Sequence, residues 1–265
     1  MMNDANEISH HTMLYGVVGE NAGQSSLSAV LNKLFKANNK NAMMIPMNIR
    51  QDDFYYTLVN MKKSHVNGAL LAREYTQSVV ELLDDASDAV KLSGVCDMVV
   101  RDGQTLFGDV VFASVLVEVL KKRGAKKIAL LGVNGYAKAF CLAAKSFEIS
   151  YFYDDLEALM QFVTQMQKRD ADINRMAIGM QVELSSYDAV VDFSDFESLD
   201  MVCSLGTLNL DIKGKKEPSV LKARAEELDV SYVGFDGMLE ETAQEIFGFL
   251  TKKRHLEDDK SDMKF

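Results

Sequence analysis

The hexapeptide Gly132-Val133-Asn134-Gly135-Tyr136-Ala137 has residue types and a spacing suited to holding a phosphate. The apolar run 128–131 precedes it, and Ala137, Ala139, Phe140, Leu142 and Ala143 follow at helical spacing. Strand, tight turn and helix in that order predict a βαβ nucleotide-binding unit. In the fingerprint G-x-G-x-x-G/A, the first Gly makes the turn and the second lets the backbone touch a pyrophosphate. The third position needs a small residue so that helix and strand pack closely. Gly132 and Ala137 fit, but Asn134, followed by Gly135, stands where the second Gly is wanted. Asn tolerates a left-handed backbone, yet its side chain intrudes on the space a phosphate needs. Asp154 lies 22 residues after Gly132. An acid at that distance binds the ribose 2′-OH of NAD and repels a 2′-phosphate. Asp154-Asp155 also reads as the cap of a helix starting at Leu156. NAD or NADP are the cofactors such a unit would take, with NADP disfavoured by Asp154 and Asp155.

No other cluster carries comparable chemistry. His10 and His11 have no carboxylate or thiol spacing behind them, so no metal site is expected. Cys96, Cys141 and Cys203 are widely spaced and odd in number, as reduced thiols of a cytoplasmic protein would be. A net charge of −10 argues against nucleic acid and against an anionic membrane surface as partners. There is no signal-like N-terminus and no apolar run near the roughly 18 residues of a membrane span. A cytoplasmic protein, monomer or homodimer, is the expectation.

The elements that must position the hexapeptide follow from the pattern. Strands are expected at 14–18, 42–48, 66–71, 149–153, 188–193, 208–212 and 230–234. Helices are expected at 28–37, 52–61, 112–122, 156 onward, 219–228 and 238–250, with one or two helical turns at 77–83. Residues 95–101 and 105–107 flank Asp102-Gly103 and predict a hairpin. The helix at 112–122 leads into the strand before the hexapeptide and is taken as the link between two domains.

This order of pieces, over residues 14–251, resembles the shikimate and quinate dehydrogenases. Tyr15-Gly16-Val17-Val18-Gly19 with Gly23-Gln24-Ser25 resembles the family's opening strand and G-x-x-x-G-H-S-x-S loop. Leu82-Leu83-Asp84 and Gly94-Val95-Cys96-Asp97-Met98-Val99-Val100 resemble its L-L-D and G-A-V-N-T-V-V, and Asp102-Gly103, Leu106 and Gly108-Asp109 its D-G-x-L-x-G block. Gly132 to Ala139 resembles G-A-G-G-A-A-R-A, and Gly237-Met238-Leu239 the opening of the last helix. The resemblance implies an α/β protein: an N-terminal α/β substrate-type domain (14–111), a Rossmann-like dinucleotide-binding domain (112–234), and a C-terminal helix (235–253) returning to the first domain. Tails are expected at 1–13 and 254–265.

The positions that carry the family's reaction are changed. Ser25 matches the first substrate-binding Ser, but Leu27 stands at the second. In the N-V-T-I-P-H-K block, Ala72 replaces the Thr and Thr76 the catalytic Lys. Asp97 stands at the Asn of G-A-V-N-T, Phe112 at the Asp that partners the Lys, and Thr242 at the Gln of the last helix. Oxidising a secondary alcohol needs a group that takes the hydroxyl proton as hydride leaves. Thr76 is no usable base without an activating neighbour, and Phe112 carries no charge. Loss of both partners together avoids a buried unpaired charge. The resemblance therefore implies a relative without the family's activity, a pseudoenzyme with no catalytic residue, binding a small molecule or a partner. The alternative is an active NAD(P)-dependent oxidoreductase with an altered substrate, and a further one an ordinary shikimate dehydrogenase of aromatic amino-acid biosynthesis.

Overall fold

The computed structural model describes residues 11–168, 170–177, 179–214 and 216–252. His10, the C-terminal tail and most of the N-terminal tail lie outside them. The chain forms two compact units, one of residues up to Val111 with those from Leu239 on, the other Phe112–Met238.

The first unit opens with β1 (Met13–Gly19), α1 (Leu27–Ala37), β2 (Ala42–Asn48), α2 (Gln51–Met61) and β3 (Val66–Leu71). Helix α1 is amphipathic, and Leu27, Leu31 and Phe35 form its buried face. After β3 the chain makes two short 3-10 turns, Arg73–Tyr75 and Ser78–Leu82, in place of regular helix. Then come β4 (Asp85–Ala86), α3 (Asp88–Ser93), β5 (Met98–Asp102) and β6 (Thr105–Asp109). The sheet order is β2-β1-β3-β5-β6-β4. β1 pairs in parallel with β2 and β3, while β5 and β6 form the antiparallel hairpin, with Gly103 at φ 58° in its turn. Helix α3 has no counterpart in the sequence reading, although Ser87 caps it and Gly94 ends it in the left-handed region. Its single turn and a half is too short for a periodic signal.

The second unit runs α4 (Phe112–Lys122), β7 (Lys127–Leu131), α5 (Gly135–Ala143), β8 (Glu148–Tyr153), α6 (Leu156–Gln165) and β9 (Asp172–Arg175). It continues with β10 (Val182–Glu183), β11 (Ala189–Asp192), β12 (Val202–Ser204), β13 (Leu208–Asp211), α7 (Val220–Glu227) and β14 (Tyr232–Val233). Its main sheet, β14-β13-β11-β7-β8-β9, is parallel at every pairing. This is the doubly wound Rossmann order, which reverses between β7 and β11. β7 and β11 are near-continuous apolar runs because helices cover a parallel sheet on both faces. β14 is shorter than the sequence pattern suggests, and β9, β10 and β12 went unread. The last helix, α8 (Leu239–Lys252), belongs to the first unit, and its Phe247 ring packs 6.0 Å from Phe35 on α1.

Candidate functional site

In the first unit, the positions that would hold substrate sit in the loops after β1 and β3, before β5, and on α8. Ser25 is half-buried, and its Oγ accepts from Leu27 N at 3.2 Å. Leu27 is itself core, 1% exposed. Thr76, 2% exposed, donates its hydroxyl to Arg73 O at 2.9 Å, while its carbonyl accepts from Cys96 N at 2.8 Å. The residue beside it, Tyr75, stacks on Phe54 at 4.1 Å and donates its hydroxyl to Ile49 O. Burial and then the Glu20, Glu74 and Asp53 charges hold the Tyr75 hydroxyl above its usual pKa, so it is no base either. Asp97 is buried; its Oδ1 accepts from Val111 N at 2.6 Å, and its carbonyl accepts from Leu71 N at 2.7 Å. Thr242 is buried on α8, next to the fully buried Ala243. Ser25, Thr76 and Asp97 thus direct polar atoms at the chain's own backbone.

The same unit carries a cleft of about 470 Å³ lined by Glu20, Asn21, Arg50, Gln51 and Asp52, the residues that follow β1 and β2. Sequence reasoning missed it, since its lining comes from the loop after β1 and from the start of α2, which adjoin only once β1 and β2 are paired. Among the described residues, no group of three or more His, Cys, Asp or Glu is placed to hold a metal ion.

In the second unit, Gly132 has φ 95°, and a Cβ there would lie 2.7 Å from Ser194 N, so only glycine fits. Asn134 is the N-cap of α5, with Oδ1 accepting from Ala137 N at 3.2 Å and Nδ2 donating to Phe193 O at 2.5 Å. Gly135 begins the helix, and Ala137 is fully buried against the sheet. Phe112, Tyr136 and Phe193 form a ring cluster with centroids 5.6 to 6.5 Å apart. Phe193 also meets Phe140 at 5.9 Å. Asp155 caps α6 by accepting from Glu157 N at 2.9 Å and Ala158 N at 3.1 Å, and Asp154 Oδ1 accepts from Asp155 N. The capping role fits this geometry for Asp155.

A dinucleotide needs free first-turn amides and bare backbone at the second glycine position. Here the Asn134 carboxamide takes the Ala137 amide. These residues do not fit a bound dinucleotide phosphate. Sequence reasoning also missed Asp192, which ends β11 beside Asp211 of β13 and is only 2% exposed. A closing Asp after an apolar run gives no signal that it is buried.

No family model matches the chain. The shikimate dehydrogenase (NADP(+)) of Pelobacter propionicus is 27% identical over 137 residues, a match spanning half of each chain. That of Streptococcus pneumoniae is 23% identical over 235 residues, covering 85% of this chain and 80% of its own. Among solved structures, shikimate 5-dehydrogenase from Listeria monocytogenes in complex with shikimate and NAD superposes with a TM-score of 0.69 at 20% identity, covering 93% of this chain and 94% of its own. An Ael1 enzyme from Pseudomonas putida gives 0.73 at 16% identity, covering 90% and 93%. The ligand-free 5-ketofructose reductase of a Gluconobacter species gives 0.68 at 15% identity, covering 92% and 93%. At such identities the structural likeness speaks to the fold, and the sequence matches carry the relationship. With the ordered motifs from Tyr15 to Leu239, they indicate the shikimate dehydrogenase family, at the low identity of a divergent relative.

Proposed function

We propose that this chain is a shikimate dehydrogenase-like protein that does not interconvert shikimate and 3-dehydroshikimate with NADP, and that it acts by binding a small molecule or a partner. The observation that carries this reading is Thr76. It stands at the position of the family's catalytic Lys, is 2% exposed, and spends its hydroxyl on Arg73 O. An alcohol oxygen is too weak a base to take a substrate proton without an activating neighbour, and no carboxylate is present at the partnering position, Phe112. The inward bonding of Ser25 and Asp97 supports the same reading, as does the poor fit of the α5 turn to a dinucleotide.

The small-molecule part of the reading rests on the cleft beside Arg50. No described residue forms an ion pair or side-chain hydrogen bond with the Arg50 guanidinium, although Glu20 and Asp52 line the same cleft. This surface is open and lined wholly by polar residues, and its two signs of charge are what a small zwitterionic or polar ligand would meet. The test of the non-catalytic reading is turnover. Purified protein at micromolar concentration, given shikimate with NADP or with NAD, is expected to produce no reduced nicotinamide absorbance above a protein-free control. Sustained turnover with either pair would overturn the reading and establish an oxidoreductase using another base.

A further inference from the structure

In an open parallel sheet, a ligand enters the crevice beyond the strand ends where the strand order reverses. In the second unit those ends belong to β7 and β11. The chain itself bridges them. One Asn134 carboxamide reaches from the first turn of α5, where Oδ1 accepts from Ala137 N, to the end of β11, where Nδ2 donates to Phe193 O. At the base of the turn, Gly132 approaches β11 so closely that an added methyl would lie 2.8 Å from Ser194 Cα. Alongside, the Tyr136 ring lies within 16° of parallel to Phe193, and Phe112 meets Phe193 edge-on.

We infer that Asn134 is a resident plug of the phosphate cradle. Its Oδ1 takes the helix amide that a phosphate oxygen would use, and its Nδ2 latches the turn to β11. The inference rests on the non-catalytic reading and deepens it, because it concerns the same βαβ turn. The backbone beneath the plug keeps the shape a cradle requires. Gly132 retains its positive φ, and Asn134 sits at φ −84° and ψ −173°, extended backbone that glycine or serine adopts freely. Exclusion is therefore by occupancy of one side chain, and removing that side chain opens the cradle.

The experiment is isothermal titration of the full chain with NAD and, separately, with NADP, for the native protein and the variants Asn134→Gly and Asn134→Ser. Glycine removes both the acceptor for Ala137 N and the arm that reaches Phe193, at little cost to the cap, whereas serine can still take the Ala137 amide and removes the arm alone. Circular dichroism and thermal melting establish that each variant is folded. The native protein is expected to give no binding heat at millimolar NAD. The folded Asn134→Gly is expected to bind NAD at least about tenfold more tightly than the native chain, a gain of roughly 1.4 kcal/mol or more, with Asn134→Ser weaker than glycine because it keeps the Ala137 amide occupied and NADP weaker because of Asp154 and Asp155. Micromolar NAD binding by the native protein overturns the inference. So does a folded Asn134→Gly that binds no better than native. The two readings fail separately: a variant that binds NAD and still lacks shikimate turnover leaves the non-catalytic reading in place, whereas turnover by the native protein sinks that reading directly.

Discussion

Among single residues, Asp192 places a carboxyl group in the interior of the second unit. Its Oδ1 accepts from Ser194 N at 2.7 Å and from Ser194 Oγ at 2.6 Å, while Oδ2 is buried without a partner. Burial raises its pKa to about 6; the Ser194 hydrogen bonds and Lys213 pull it down, and Asp211 pushes it up. Asp211 is better satisfied, accepting from Lys213 N, Tyr232 Oη and Ser219 Oγ. An unfolded Asp titrates near 3.9, so the native state holds its proton more tightly than the unfolded state does. The stabilisation from that proton is fully present below about pH 4 and is lost as pH rises through about 6. A shift of two units corresponds to about 3 kcal/mol at most. Asp192→Asn keeps the acceptor for Ser194 and removes the titration. Urea unfolding should give a stability difference, variant minus native, that grows in the variant's favour between pH 4 and pH 7. A flat difference across that range would show that Asp192 does not titrate there.

Whole elements tell a different story, because here the physics is ordinary packing. On α8, Ala243, Ile246 and Leu250 are fully buried and repeat at helical spacing, with Phe247 reaching the Phe35 ring. Ile246→Ala should cost about 3 kcal/mol by lost burial and the cavity left behind. Denaturant unfolding checks this, and a loss under about 1 kcal/mol would mean the helix is not docked as described. Such elements were legible in the sequence because their signals are local. Asp102-Gly103 set the hairpin, Ser219 capped α7, and the 112–122 pattern gave α4 its bounds. Strand β9, with sequence Asp172-Ile173-Asn174-Arg175, is a polar edge that exists through its pairing with β8, and no local pattern announces that. The same distinction governs the site. The replaced positions, Leu27, Ala72, Thr76 and Phe112, could be read against a family motif. The Asn134 bridge could not, because Phe193 lies 59 residues away and meets Asn134 only once β7 and β11 are paired.

Taken as a whole, the molecule keeps a fold whose stability does not depend on the chemistry the fold usually hosts. The second unit is one continuous stretch with its own parallel sheet and a core running from Ala129 and Leu131 through Phe152, Leu184, Val190 and Leu205 to Leu221. A segment with a complete core and contiguous chain has what independent folding requires. The first unit does not: it is closed by residues from Leu239 onward, which supply Ala243, Ile246 and Leu250. Residues 112–238 expressed alone should therefore melt cooperatively with a mixed α/β circular dichroism spectrum. Residues 1–111 alone lack α8, leave Phe35 without the Phe247 ring, and should show no cooperative transition. Joining residues 239–265 to 111 through a short Gly/Ser linker should restore that transition, since it returns the missing core without any part of the second unit. A cooperative melt of 1–111 by itself would contradict this account, because α8 would then be an accessory to the first unit and not part of its core.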